Sequence, residues 1–439
     1  MNFQTHIKST ITLAYPMIIG QIGHIMMGVV DSIMVGQVGA QELAAASLSN
    51  AVFFQIFVFG LGVSFALSPL TAAAQGAKKH KKCGVLLRQS FWINSVLSVI
   101  MSLIIFFGSF YVYLLNQPPE VTVLVVPYLR LLGWSAIPFM LFQTYRQFSE
   151  GLSLIKAPMV ITLLANLVNF GGNYLLIFGN YGFPEMGLEG AGISTLSTRT
   201  FMAFFMILYV VFNKKFAAYL PNLSYFKIYW KDIRKILSIG VPSGIQYFFE
   251  VGAFAGAAII IGWVGTNDLA AHQIALSLAS FSFMFAIGLS SAGAIRTGNA
   301  LGRNDLHDIR YAGLSAVSLG ALVMGFFGIF FVIFKRELAN IYIDDPAVIT
   351  IAASLLIIAA FFQIFDGTQA VALGILRGIA DVKIPTVITF FAYWVLALPI
   401  GYFIGIEKNY GAWGVWIGLM IGLAASAVML ISRFVHKTR

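Results

Sequence analysis

Twelve times along the chain, an apolar run is long enough to cross a lipid bilayer. A helix needs about 20 mostly apolar residues to traverse the hydrocarbon core. Candidate spans lie at 10–35, 44–75, 88–115, 122–149, 158–178, 190–212, 236–262, 269–298, 311–334, 348–374, 384–405 and 411–434. Several exceed the minimum, so tilt or protrusion from the bilayer is expected. Composition agrees: 59% of the 439 residues are hydrophobic, 10% are charged and 40 are Phe, with a mean hydropathy of +0.87. Ordinary globular chains carry about 25% charged residues. Disorder, a fibrous repeat and a disulfide scaffold are excluded, and the one cysteine, Cys83, has no internal partner. Residues 1–9 are a polar lead-in to a span-length run with no small-residue cleavage site, which predicts an uncleaved first span.

The net charge of +10 could signal nucleic acid, and the placement of the charges decides otherwise. With the N-terminus in the cytoplasm, 22 of the 27 Lys and Arg fall on the cytoplasmic side of the spans. Only Lys335, Arg336 and Lys408 fall on the other, while Arg130 and Arg199 lie within spans. That is the positive-inside pattern of a multi-pass protein with both termini cytoplasmic. It predicts a multi-pass membrane protein bathed in lipid, with no nucleic-acid partner. The segment 213–235 interleaves six basic residues with Tyr225, Phe226, Tyr229 and Trp230, the pattern of an interfacial amphipathic helix on the inner leaflet.

That segment separates two halves that repeat each other. A shift of 226 residues aligns 16–76 with 242–302 without a gap, and 17 of the 61 pairs are identical. Pro16/Pro242, Gly36/Gly262, Gly39/Gly265, Phe57/Phe283 and Gly76/Gly302 are among them. A shift of 227 brings Gly151 onto Gly378, Lys156 onto Lys383 and Pro158 onto Pro385. Apolar bias does not put glycines and prolines in register. The expectation is an all-α integral membrane fold of twelve transmembrane helices in two pseudo-symmetric six-helix lobes, a parallel repeat. The lobes are predicted at 1–212 and 236–439, with 213–235 as the basic linker. Duplicated folds of this kind recur in transporters, with substrate near the midplane and alternating access.

Of 17 acidic residues, only Asp31, Glu250 and Asp366 lie well inside apolar runs. An intramembrane charge costs several kcal/mol, so such a residue points to function unless it is paired, here with Arg199, or held by a structural hydrogen bond. Glu250 follows Gln246 and Tyr247 on its span; Asp366 follows Phe362 and Gln363 and precedes Gln369. Carboxylates among amides and aromatics suit a proton, a hard cation or a flat organic cation. Asn166, Asn169 and Asn173 share one face of the fifth span at helical spacing and, with Asp31, offer a second polar set. His24 and His272 read as packing residues and form no metal cluster. No nucleophile elbow, P-loop, metalloprotease helix or Cys-x-x-Cys motif is present, which predicts neither an enzyme nor an ATP-driven pump.

These residues resemble the MATE (multidrug and toxic compound extrusion) transporters over nearly the whole chain. The likeness rests on Pro16 followed by Asp31-Ser32-Ile33-Met34-Val35-Gly36, on Leu43-Ala44-Ala45-Ala46, and on Gly240-Val241-Pro242 leading to Glu250. It continues through Leu269-Ala270-Ala271-His272-Gln273, Gly298-Asn299-Ala300-Leu301-Gly302 and Leu376-Arg377-Gly378. Glu250 and Asp366 resemble the NorM-type branch, in which they would hold the cation, Na+ being one candidate metal. Asp31, Asn169, Asn173 and Thr195 match its N-terminal polar cluster, and Phe283 matches an aromatic facing the cation. Tyr247, Phe362 and Gln246 are the further substrate-binding candidates. Two positions depart from relatives: Asn173 is an amide where some carry Asp, and Phe362 stands where a tyrosine is found. The resemblance implies a monomeric antiporter, without cofactor, exchanging Na+ or H+ for organic, mainly cationic aromatic compounds. The alternative is a flippase like the related lipid-linked-oligosaccharide exporters, whose cavity would need deep cations such as Arg130 and Arg199.

Overall fold

A computed structural model describes residues 3–115, 117–220 and 227–439, and among them there is no strand. Twelve helices are long and apolar enough to cross a membrane: α1 Phe3–Gly36, α2 Ala40–Gly76, α3 His80–Leu114, α4 Pro119–Gly151, α5 Lys156–Leu176, α6 Gly187–Phe212, α7 Trp230–Val264, α8 Thr266–Gly302, α9 Leu306–Ile333, α10 Pro346–Gly378, α11 Lys383–Glu407 and α12 Gly411–Lys437. They coincide one for one with the twelve predicted spans. Most begin earlier or end later than the apolar run, as α3 does by starting at His80. Hydropathy registers only the hydrocarbon slab, whereas the helical hydrogen-bond ladder continues through Lys81 and Lys82, both good helix formers.

The helices are turned inside out relative to a soluble bundle. On α3 the buried face carries Asn94, Ser98, Ser102 and Ile105, and the exposed face carries Val96, Ile100, Leu103 and Phe107. Small and polar residues sit between helices and large apolar ones face lipid, because lipid gives the apolar side chains nothing to escape from.

The duplication is written into the backbone. Lys78 and Asn304 both adopt the left-handed conformation (φ 57° and 58°) at the turn after α2 and after α8, 226 residues apart. Ser153 and Ala380 (both φ 61°) do so after α4 and α10, 227 apart. α11 breaks the correspondence. It passes from an α-helical start, Lys383–Phe390, into a π-helical segment, Phe391–Ala397, and a second one at Phe403–Glu407. Its counterpart α5 is α-helical throughout.

The chain packs as two compact units. One is Ile22–Gly244; the other joins the residues up to Gln21 to Ile245–Arg439. Both divisions fall inside a helix, α1 or α7, a short way past Pro16 or Pro242, so the first segment of each repeat is packed with the other repeat. The linker lies within the first unit. There Asn213 caps the short turn Lys214–Phe216 through its side-chain oxygen, and Phe216 is buried against Phe148 and Tyr209. Positions 221–226 of the expected interfacial helix, with Tyr225 and Phe226, lie outside the described residues.

Candidate functional site

In the second unit, α7, α10 and α11 bring a polar cluster together in an apolar interior. Glu250 on α7 is 7% exposed and Asp366 on α10 is 5% exposed. Their carboxyls lie close enough to repel each other. Tyr393, fully buried, enters from the π segment of α11. Its hydroxyl stands 3.5 Å from Glu250 Oε1 and 3.3 Å from Gln369 Oε1, while Gln369 Nε2 lies 3.2 Å from the same oxygen. A phenol has one proton to give, so Tyr393 donates to Glu250 or to Gln369 but not to both. π-helical turns are rare and recur at functional sites. Here the segment begins two residues before the tyrosine.

Polar atoms around the acids are left over. One turn before Glu250, Gln246 turns its side chain toward that carboxyl, although its buried Nε2 completes no hydrogen bond, and both amide atoms of Gln363 one turn before Asp366 are buried without one. Buried amides are ordinarily paired. No ion pair among the described residues includes Glu250 or Asp366, and none groups three His, Cys, Asp or Glu as a metal cluster would. Arg377 is placed with its guanidinium 5.7 Å from the Tyr247 ring, at the end of α10.

The aromatic candidates are not gathered equally. Phe362 is 1% exposed and packs in the core against Trp416 (5.3 Å) and Phe254 (6.2 Å), the latter in turn against Tyr393 (5.9 Å). Phe283 on α8 is half-buried, and Tyr247 is half-buried on α7. His272 accepts a hydrogen bond from the Trp416 indole at 3.1 Å, a packing role.

The first unit holds the other polar set. Asp31 on α1 accepts hydrogen bonds from Asn173 Nδ2 (2.6 Å) and Thr195 Oγ1 (3.3 Å). Asn169 turns its amide toward the same carboxyl, and neither of its amide atoms completes a hydrogen bond. Asn166 is spent on the backbone, donating to Gly23 O and Thr162 O. Arg199 does not pair with Asp31. It donates to Ser135 Oγ at 2.7 Å and stacks over Phe53 and Phe139 at 5.0 and 5.1 Å. Arg130 is likewise engaged, by Ser109 and by the Phe106 and Phe110 rings.

The repeat explains how the acidic cluster is built. A shift of 226 places His24 opposite Glu250, and a shift of 227 places Phe139 opposite Asp366 and Asn166 opposite Tyr393. In the first unit His24 stacks on Phe139 at 4.9 Å, next to the Asn166 bond to Gly23. One three-helix junction thus carries an imidazole, a phenyl ring and an amide in the first repeat and two carboxyls with a phenol in the second. Sequence reading found both acids and the three glutamines, Gln246, Gln363 and Gln369, but passed over Tyr393, whose only signal was its repeat position.

Twelve spanning helices in a duplicated order, with acids buried among amides, define a multi-pass membrane transport protein. The MatE family profile matches the chain twice, at residues 16–175 and 242–403. The chain belongs to the MATE family of transporters, which are not enzymes. It is 33% identical over 440 residues to the multidrug resistance protein NorM of Photobacterium profundum, covering 98% of this chain and 96% of that one. It is 34% identical over 431 residues to the multidrug resistance protein MdtK of Photorhabdus laumondii, covering 97% and 94%. Its fold matches the crystal structure of the eukaryotic MATE transporter AtDTX14 with a TM-score of 0.90 over 100% of this chain and 99% of that one, at 19% identity.

Proposed function

We propose that the protein is a secondary multidrug antiporter of the bacterial inner membrane, exporting organic, mainly cationic aromatic compounds in exchange for Na+ or H+. The observation that carries this reading is the pair Glu250 and Asp366, buried together beside Tyr393 and Gln369 and in no salt bridge among the described residues, Arg377 reaching Glu250 only through its charge. Two carboxyls in so apolar a place require a cation or a proton to accompany them. Their oxygens, with the Tyr393 hydroxyl and Gln369 Oε1, are the donor set a hard cation takes. A cationic drug drawn to the same charge competes with that ion, and competition between the two states drives exchange. The names of the curated relatives support drug export. The flippase alternative loses ground because Arg130 and Arg199 are already engaged.

Purified protein in proteoliposomes is expected to expel a cationic dye when a Na+ or a pH gradient is imposed separately, and not when both are collapsed. Tyr393→Phe keeps the ring and its packing against Phe254 while deleting the one proton shared by Glu250 and Gln369. A hydrogen bond of that kind is worth about 1 kcal/mol, so the apparent affinity for the coupling ion should fall about fivefold, with the maximal rate little changed. Titrating efflux against the ion checks it.

The charge split supports a cytoplasmic location for both termini, and the protein is read as a monomer. Cysteines introduced at His80 and at Gln117, both exposed and at opposite ends of α3 and its following turn, should therefore label from opposite sides of the membrane. Labelling from one side only would overturn that orientation.

A further inference from the structure

Each repeat lends the start of its first helix to the other repeat, and the two loans are tied down at equivalent positions. In the first unit, Lys82 at the start of α3 forms an ion pair with Asp232 at the start of α7. In the second, His6 at the start of α1 sits 3.6 Å from Asp308 at the start of α9. The 226-residue shift carries position 6 onto 232 and position 82 onto 308, so these are one contact made twice with the partners exchanged. The helices crossed by each loan obey the same rule. A Cβ added to Gly62 would lie 2.5 Å from Gly244 Cα, and one added to Gly288 would lie 3.0 Å from the Ile18 backbone nitrogen. Positions 62 and 288 correspond, as do 18 and 244.

Sequence identity does not account for this. The four charged positions are His, Lys, Asp and Asp, yet each contact has one acidic member and one basic or protonatable member. Asp308 is held further by Arg303. Arg296 binds the His6 carbonyl (2.6 Å), His6 Nδ1 (2.7 Å) and Thr10 Oγ1 (2.5 Å). Accepting from Arg296 at Nδ1 leaves the ring proton of His6 on Nε2, toward Asp308. The Lys82–Asp232 side gains its own support from Gln89, which donates to Lys227 O and accepts from Tyr229 N.

We propose that the Lys82–Asp232 and His6–Asp308 pairs are a two-point lock, one point in each unit, that is released in every transport cycle. The proposal rests on the antiport cycle proposed above, in which each lent helix start would be given back. Each contact sets one member in reach of solvent, Lys82 (side chain 40% exposed) or Asp308 (14%), against a buried one, Asp232 or His6. His6 Nε2 makes no hydrogen bond at 3.6 Å from Asp308, so that contact can part without breaking one. Lock residues would therefore act by holding the lent helix starts in place.

The test uses the full-length protein with Cys83, the single native cysteine, replaced by Ala. Two double-cysteine variants, Lys82→Cys with Asp232→Cys and His6→Cys with Asp308→Cys, are bridged by a short reducible bifunctional thiol reagent. Each bridge is expected to stop efflux, and reduction to restore it, while dye binding in detergent persists. Unimpaired efflux through fully bridged protein would make the loans permanent structural clamps and overturn the lock, as would a failure of either pair to bridge. A second arm does not depend on transport. Ser243→Cys is buried on the lent segment of α7. Its reaction with a hydrophilic thiol reagent should speed up in Lys82→Asp and slow again when Asp232→Lys is added. Equal labelling rates in all three would overturn the proposal even if drug export itself were absent.

Discussion

Glu250→Gln is expected to abolish ion-driven efflux while the protein still inserts and folds. Glutamine has nearly the volume of glutamate and keeps an oxygen for the Tyr393 hydroxyl, so the packing of α7 against α10 and α11 has no reason to change. The substitution removes the charge. On insertion scales a charged residue at the helix centre costs about 3 kcal/mol, so the variant should be no less stable than the parent. Exchange, however, needs a group that holds an ion in one state and yields it to the drug in the other. A neutral amide beside Asp366 leaves one carboxyl where two had repelled each other, and the competition between ion and drug is lost. Efflux under an imposed gradient should fall to that of empty liposomes. Binding of a cationic dye should weaken about tenfold, the equivalent of about 1.4 kcal/mol, and binding of a neutral one should hardly move. Asp366→Asn should behave alike. Parental efflux from inserted Glu250→Gln protein would make the carboxylate structural and refute the mechanism.

The order and number of helices were legible because lipid imposes a crude rule, about 20 apolar residues per crossing, that a single sequence satisfies visibly. Glu250, Asp366 and Asp31 were legible for the same reason: a carboxylate stands out in an apolar run. Aromatic residues do not stand out there. Phe362 packs in the core against Trp416 and Phe283 is half-buried, and sequence could not tell these facings apart, because facing is set by helix rotation and one aromatic in a membrane helix looks like another. Tyr393 was hidden by the π turn of α11, since such a turn shifts facing by part of a residue and has no composition of its own. The lent helix starts were hidden too. Spans count crossings along the chain, whereas the place of His6 beside Arg296 depends on which helix lies next to which.

The other large effect concerns how α11 and α12 meet. Gly414, Gly418 and Gly422 recur every four residues on α12, and the structure sets them against α11. A Cβ on Gly418 would lie 2.3 Å from Gly401 N and 2.6 Å from Ala397 O. One on Gly414 would lie 2.6 Å from Gly405 N, and one on Gly422 2.6 Å from Ala392 O. These neighbours are backbone atoms, which have no rotamer to change. Small residues allow such approach between membrane helices, where contact area rather than a hydrophobic effect holds them together. Ordinary overpacking costs about 1–3 kcal/mol when side chains can shift. Gly418→Leu must instead drive two helices apart along the segment that carries Tyr393, so little folded protein should survive extraction in mild detergent, and a fluorescence size-exclusion profile should show aggregate. Gly325→Leu is the control: nothing lies within 4 Å of the added atom on α9, and the profile should match the parent. If Gly418→Leu also elutes as folded protein, α11 and α12 do not approach this closely in the membrane.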